Sequence, residues 1–512
     1  HLEPLGFIKF DLLGLSTLRM ISGAIRHILK RSQGIEEPTF EQVRDYYNTN
    51  LHPDTIDFDN QEVWREVFHK GKWAGIFQMT NGGAQRFCQE AQPESLLDFA
   101  AVTAIFRPGP LSAKAHSLYV ANKSNPSQVH YEHPIIKEVL GDTYGLLVFQ
   151  EQLAMLAHKL GDNLSLDEGN LLRKVLTKKG TGKDSVKTKL YNKFVKGCNS
   201  HGLSEEVAKN LWAKMEFFSG YGFNLSHAVS YGAVSFQCAW LSYYYPVEWM
   251  AAFLDKEPED RKAQAINTAK SFGFEVVPPS INKSGRVWEI AEDGKTLIQP
   301  LAGIKGLGDS AIDQIVANRP FTSIEEFLFN EDITYSKLNK KALDVLVRSQ
   351  SLNELMDDRF TGLQHFWSAV AVDRPRKEKN LLDNIDLYAP EGDFSEEEKI
   401  EHFASLTGIF PIHEIMPQEI QDNLMNRGCP PISEYDPDLQ LVWFIPREVK
   451  IKKTKNGKEY WIIHTTDSNA HDARIRCWGV REDDRISLNK VYIANLDYNE
   501  KWGFSTRSMR RS

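Results

Sequence analysis

Cysteine is sparse in this 512-residue chain: Cys88, Cys198, Cys238, Cys429 and Cys477 stand far apart, with no CxxC and no paired histidine spacing. That scatter argues against a zinc site and a disulfide framework, and it fits a reducing cytoplasm, the expected location. Long apolar runs are missing too. None approaches the ~20 residues of a membrane-spanning helix, so no membrane partner is expected. The amino terminus has neither the basic segment nor the apolar core of a secretory signal. It opens on His1 rather than methionine, and a fragment or processed product is expected. Net positive charge is also absent: 61 Lys and Arg stand against 69 Asp and Glu, a formal charge of −8. Taken alone, that balance speaks against a nucleic-acid partner.

The distribution of charge says otherwise. From Leu171 to Lys196, "LLRKVLTKKGTGKDSVKTKLYNKFVK", nine Lys or Arg face one Asp, and "REVKIKKTKNGK" (447–458) forms a second cluster. Acid gathers elsewhere, as in "PEGDFSEEEKIE". Local basic surfaces on an acidic chain suit a protein that grips a polyanion along one face. Each cluster taken singly reads equally as a solvated helix face or hairpin.

The length implies two to four domains. Residues 1–25 read as the end of a strand-containing domain, and about 30–270 as mostly helical. "SEEVAKNLWAKMEFF" puts Val207, Leu211, Met215 and Phe218 on one face, with Ser204 as cap. Residues 298–355 carry short helices with hairpin turns, and 356–435 read partly as linker. From 438 to 505 the pattern alternates, Asn456-Gly457 marks a hairpin, and a small barrel of the OB type is expected.

Three stretches carry chemistry. "GFIKFDLLGL" (6–15) places Asp11 and Lys9 on one face of an apparent strand, suited to metal or phosphate, or simply to solvent. "IKGLGDSAIDQIV" (304–316) has the form of a helix-hairpin-helix turn, in which Gly306 and Gly308 allow the backbone to face a phosphate and Lys305 adds charge. A degenerate second copy follows, with Gln350 where a glycine would serve better. "FFSGYGFNLSHAVSYGAVSFQCAWLSYYYP" (217–246) joins a glycine-hinged turn to Asn224, Ser226, His227 and Tyr231 ahead of a long apolar helix. Small polar groups and an imidazole at a helix start suit a triphosphate or nucleic-acid phosphate; the plain reading is a loop histidine satisfied by the helix backbone.

Taken together these stretches resemble the bacterial DNA polymerase III alpha subunit, the C family of replicative DNA polymerases. The motifs run in family order: "GFIKFDLLGL", "AGIFQMTNGG" at 74, "AIFRPGPL" at 104, "YGLLVFQEQLAMLA" at 144, "LLRKVLTKK" at 171, "SGYGFNLSHAVSYGAVSFQCAWLSYYYP" at 219 and "GIKGLG" at 303. Beyond 360 the likeness rests on "LTGIFPI" at 406 and the alternating pattern. The resemblance implies a mainly α fold with a palm strand remnant, a helix-hairpin-helix module and a carboxy-terminal OB-like β-barrel, multidomain α+β. It assigns 1–25 to a palm remnant, 26–290 to fingers, 291–355 to tandem helix-hairpin-helix, 356–437 to linker and clamp-binding region, and 438–512 to the OB-like domain.

The resemblance also implies roles. Asp11 matches the third of three aspartates that hold two Mg²⁺ ions for nucleotidyl transfer, with Lys9 beside it; the other two belong to a palm segment that precedes the motif. "IDFDN" (56–60) has the DxD spelling but the wrong order, and Asp59 or Asn60 reads better as a helix cap. Arg107, Arg173, Lys174, Lys178 and Lys179 match cations expected to meet triphosphate and DNA, and Tyr221, Asn224, Ser226 and His227 match the turn beside the incoming nucleotide. Leu225 stands where the family usually has Lys. Gln150 and Glu151 match without an assigned role. "NIDLY" falls where the family carries a peptide that docks on the sliding clamp, and Asn384, Asp386, Leu387 and Tyr388 are the expected contacts, Asn384 departing from the usual Gln. Trp443, Tyr460 and Trp461 are candidate stacking residues for single-stranded template. The implied activity is DNA-directed DNA polymerase, acting on primer-template DNA and deoxynucleoside triphosphates, inactive alone and needing a palm- and PHP-containing fragment. The alternative is a non-catalytic DNA- and clamp-binding tether.

Overall fold

The computed structural model describes residues 14–177, 184–220, 222–258, 261–389, 392–454, 456–468, 473–478, 486–499 and 502–511. Lys9, Asp11, Lys178, Lys179 and Tyr221 lie outside them. The chain forms two compact units, His1–Met250 and Ala251–Ser512.

The first unit is helical where described. Its helices start where small polar side chains can take up unpaired amides. The Asn60 side chain accepts from the Glu62 and Val63 amides (3.1 and 3.4 Å), and Ser204 accepts from Val207 (3.3 Å). Asp57 accepts from the Asp59 amide at 3.0 Å, so "IDFDN" is a turn leading into a cap rather than a strand. Leu211, Met215 and Phe218 of the Glu205–Ser219 helix are buried against Leu153, Leu156 and Leu160 of Gln150–Leu160 and Leu172 of Leu166–Thr177. A second core is aromatic: Trp64 lies 4.9 Å from Phe236 and Phe68 lies 5.1 Å from Phe99, all four fully buried. Asp98, also buried, accepts from Tyr119 (3.1 Å), Tyr144 (3.3 Å), Lys123 (2.8 Å) and the Glu94 amide (3.1 Å). That carboxylate ties the Leu96–Ile105 helix to Ala115–Ser124.

The second unit opens with a small sheet in which β1 (Glu275–Val277) runs parallel to β3 (Thr296–Ile298) and β2 (Glu289–Ile290) antiparallel to it. Short helices follow, Asp309–Asn318 and Lys340–Arg348 among them, around one apolar core. That core continues through Phe360, Leu363, Phe366, Val370, Leu381 and Ile385. Residues 356–389, within the stretch read from the sequence partly as linker, are therefore packed: their apolar positions are spaced closely enough to cover the preceding helices.

The remaining strands are β4 (Leu441–Lys453), β5 (Glu459–Thr466), β6 (Ala473–Trp478), β7 (Tyr492–Asn495), β8 (Asp497–Asn499), β9 (Gly503–Thr506) and β10 (Arg510–Arg511). They form one curled mixed sheet in the order β10-β7-β4-β5-β6-β9-β8. The long β4 pairs with β7 over Leu441–Phe444 and with β5 from Ile445 onward, with an irregularity in the β5 ladder between Pro446 and Glu448. At the β4–β5 turn Gly457 has φ +78°, and the Thr454 amide donates to Lys458 at 2.8 Å. The architecture is multidomain α+β.

Candidate nucleic-acid interface

The turn at 222–227 is built from below by two neighbouring side chains. Glu151 at the start of the Gln150–Leu160 helix accepts from the Asn224 amide group (2.7 Å) and from the Leu225 backbone N–H (2.9 Å). Asn224 in turn caps the 20-residue Leu225–Tyr244 helix: its oxygen accepts from the His227 amide and the Ser226 hydroxyl, both at 2.8 Å. Gln150 fixes the other strand of the turn, its amide donating to Phe223 O (2.8 Å) and its side chain to Gly222 O (2.7 Å). A Cβ on Gly222 would fall 2.6 Å from the Phe218 ring, so only glycine lets the backbone pass so close. Gln150 and Glu151 thus gain the role that sequence reasoning left open: they hold the turn.

Two guanidinium groups flank it. Arg173 donates to the Gln150 side-chain oxygen. Arg107 caps the Pro108–Ser112 helix and lies 3.8 Å over the Phe223 ring. Its partial burial lowers the guanidinium pKa from the ordinary value. Phe223 meets the His227 ring edge-on at 5.4 Å, and His227 packs on Tyr231 at 4.2 Å. Arg107, Ser226 and His227 remain exposed, so a cation, a hydroxyl and an imidazole stand at the start of a long helix whose Leu225 and His227 amides are already taken by Glu151 and Asn224. Phosphate oxygens are the chemistry this set accepts. Lys174 is exposed on the same helix as Arg173. Among the described residues no three His, Cys, Asp or Glu side chains are grouped to hold a metal. Asp11, the expected metal ligand, lies outside those residues.

In the second unit Gly306 has φ +93° and Gly308 caps the Asp309–Asn318 helix, the backbone form that "IKGLG" predicts. The Lys305 side chain is exposed while its amide donates to Leu406 O at 2.9 Å. Gln350 takes φ +61°, the left-handed conformation for which glycine is better suited.

The "NIDLY" segment differs from an extended peptide: it closes the helix Glu378–Leu387. Asn384 is buried and donates to Ala369 O (3.0 Å) and Asp373 O (2.6 Å), so its amide is committed inside the fold. Asp386 is exposed, Leu387 is 71% exposed and Tyr388 half-buried.

On the curled sheet, alternation decides which aromatics are accessible. Trp443 and Trp461 face the core, which leaves Tyr460 as the accessible member of the three candidates. The opposite face of β4, β5 and β6 carries Lys450 and Lys452, then Tyr460 and Ile462, then Arg476 and Trp478, matched in register across the strands. Tyr460 stacks on Trp478 at 4.5 Å, and Arg476 lies 5.4 Å from the exposed Trp502 ring. Sequence reasoning missed Trp478 and Trp502: the first is found by its strand pairing with Tyr460, the second only by its contact with Arg476.

A phosphate-type turn on the helical unit, a glycine hairpin and a basic aromatic sheet face together have the chemistry of a candidate nucleic-acid interface. Residues 32–202 match the bacterial DNA polymerase III alpha subunit finger domain, and residues 273–362 match the helix-hairpin-helix motif. The DNA polymerase III subunit alpha of Aquifex aeolicus (strain VF5) is 30% identical over 510 residues, 96% of this chain and 41% of that protein. Those of Campylobacter jejuni and Chlamydia muridarum are 34% and 33% identical over 69% of this chain, and 28% and 27% of their own lengths. Over nearly its whole length the chain is similar to bacterial DNA polymerase III alpha subunits. It spans less than half the length of these relatives.

Proposed function

We propose that the chain supplies the nucleotide- and DNA-holding part of a DNA-directed DNA polymerase. The observation that carries this reading is the Asn224 turn, fixed by Glu151 and flanked by Arg107 and Arg173. In this reading Arg107, Arg173 and Lys174, with Lys178 and Lys179, meet the triphosphate and nearby backbone, while His227 donates to a phosphate oxygen; the Ser226 hydroxyl reaches phosphate only by exchanging its bond to Asn224. Holding a deoxynucleoside triphosphate in one orientation lowers the entropic part of the transfer barrier. Asp11, with Lys9 near it, is the chain's contribution to a Mg²⁺ site whose other carboxylates come from a palm-containing polypeptide. Primer-template DNA runs over the Gly306 hairpin, and single-stranded template over the Tyr460–Trp478 face of an OB-type sheet. Leu387 and Tyr388 serve as clamp anchors, with Asn384 kept for the fold.

The test is equilibrium binding of a fluorescent deoxynucleoside triphosphate to the full chain with primer-template DNA. Arg173→Ala and Asn224→Ala are expected to weaken it about tenfold, the loss of one charge-assisted contact. Unchanged binding in both variants overturns the reading. Leu225, which adds no charge to the turn, favours the second reading, a DNA-binding tether; that reading requires DNA binding with no nucleotide binding at all.

A further inference from the structure

The loop that carries Tyr335 is clamped from several directions. The Thr334 amide donates to the Gln314 side chain at 2.9 Å, and Gln314 donates back to the Thr334 hydroxyl at 2.7 Å. Arg374, only 5% exposed, donates to Tyr335 O at 2.6 Å and lays its guanidinium 3.7 Å over the Tyr335 ring. Among the described residues its buried Nε has no hydrogen-bond partner. Arg376 lies 5.1 Å from the same ring, which itself stays 41% exposed. A buried arginine in this position holds an aromatic ring outward against the cost of its own desolvation.

The ring lies within the helix-hairpin-helix unit. A Cβ on Gly306 would sit 3.7 Å from Lys341 Cε, so the first turn of the Lys340–Arg348 helix lies against the glycine hairpin. Lys340 is occupied, donating to Val372 O at 2.8 Å with Asp373 at 3.9 Å. Lys341 and Arg376 are exposed, and among the described residues neither pairs with a carboxylate. Lys340 thereby ties the Lys341 helix to the segment that bears Arg374 and Arg376.

We propose that Lys341, Tyr335 and Arg376 form a second DNA-backbone contact continuous with the Gly306 hairpin, taking phosphates on the two cations and a sugar or base on the exposed ring. This rests on the reading of the hairpin as a DNA contact. Such a contact positions without reading sequence, and its signature is salt dependence.

The test is fluorescence anisotropy of the full chain with a duplex oligonucleotide between about 50 and about 200 mM salt. Lys341→Ala and Arg376→Ala are each expected to weaken binding about three- to tenfold at the lower salt and to reduce the slope of log affinity against log salt by about 1. Tyr335→Ala is expected to weaken binding with an unchanged slope, and Tyr335→Phe to restore it. Lys305→Ala reads the hairpin separately. Binding that is lost in Lys305→Ala but unaltered in affinity and slope in the Lys341 and Arg376 variants overturns this contact alone. No salt-dependent binding by the unaltered chain overturns the hairpin reading and this contact together.

Discussion

Glu151→Gln removes a carboxylate oxygen that accepts the Leu225 amide while leaving an acceptor for Asn224. A hydrogen bond to a charged group is worth about 1.5–3 kcal/mol, so a loss near the lower end is expected, read as a lowered denaturation midpoint together with weaker triphosphate binding. Asp98→Ala should cost more, about 3–5 kcal/mol, because it leaves the Lys123 ammonium, held then only by Gln92 O, without its counter-charge and the buried Tyr119 hydroxyl without an acceptor. Denaturant titration checks it, and a cost below about 1 kcal/mol contradicts the buried pairing. Of these two carboxylates, Glu151 stood in a recognisable motif without a role. Asp98 could not be singled out, because its partners at 119, 123 and 144 come together only through helix packing.

Among the elements, the paired hairpins offer a contrast within one unit. Gly306→Ala forces a side chain onto φ +93° and is expected to destabilise by about 1 kcal/mol, whereas Gln350→Gly at φ +61° is expected to be neutral or stabilising by up to about 1 kcal/mol. Thermal denaturation of both variants reads the difference, and matching losses contradict it. The sequence pattern already showed the Gly306 hairpin, since glycine spacing is a local signal, while Gln350 left the second copy degenerate. It showed the Asn60 and Ser204 caps and the Asn456-Gly457 turn for the same reason. It could not show which tryptophans of the terminal sheet face inward, because that depends on how β4 divides its pairing between β7 and β5. The Glu378–Leu387 helix was obscured by its charge, although Leu381 and Ile385 lie one turn apart on its buried side. His402 on the Glu396–Thr407 helix gives this unit a pH dependence. Burial lowers its imidazole pKa, with Arg348 acting in the same direction and Glu398, Glu401 and Asp344 opposing. The unfolded chain therefore binds the proton first as pH falls. Stability from this group is full above the ordinary histidine value of about 6.5 and declines as pH drops through it towards the lower folded value. Stability measured from about pH 7.5 down to about pH 5 should fall less steeply in His402→Gln; an unchanged slope contradicts the assignment.

For the whole molecule, a formal charge of −8 coexists with cations placed where phosphates are expected: Arg107 and Arg173 at the turn, Lys305 and Lys341 at the hairpin, Lys450, Lys452 and Arg476 on the sheet. Net charge governs solubility, while local charge governs the contact. The role proposed for this chain is to hold nucleotide and DNA for a transfer whose metal site is completed by another polypeptide. It is tested most directly by Mg²⁺-dependent primer extension, with the full chain alone and mixed with a palm- and PHP-containing fragment of a bacterial DNA polymerase III alpha subunit. Extension by the mixture only, abolished by Asp11→Asn and cut about tenfold or more by Arg173→Ala, is the predicted result. Extension by the chain alone, or by a mixture indifferent to both substitutions, would contradict it.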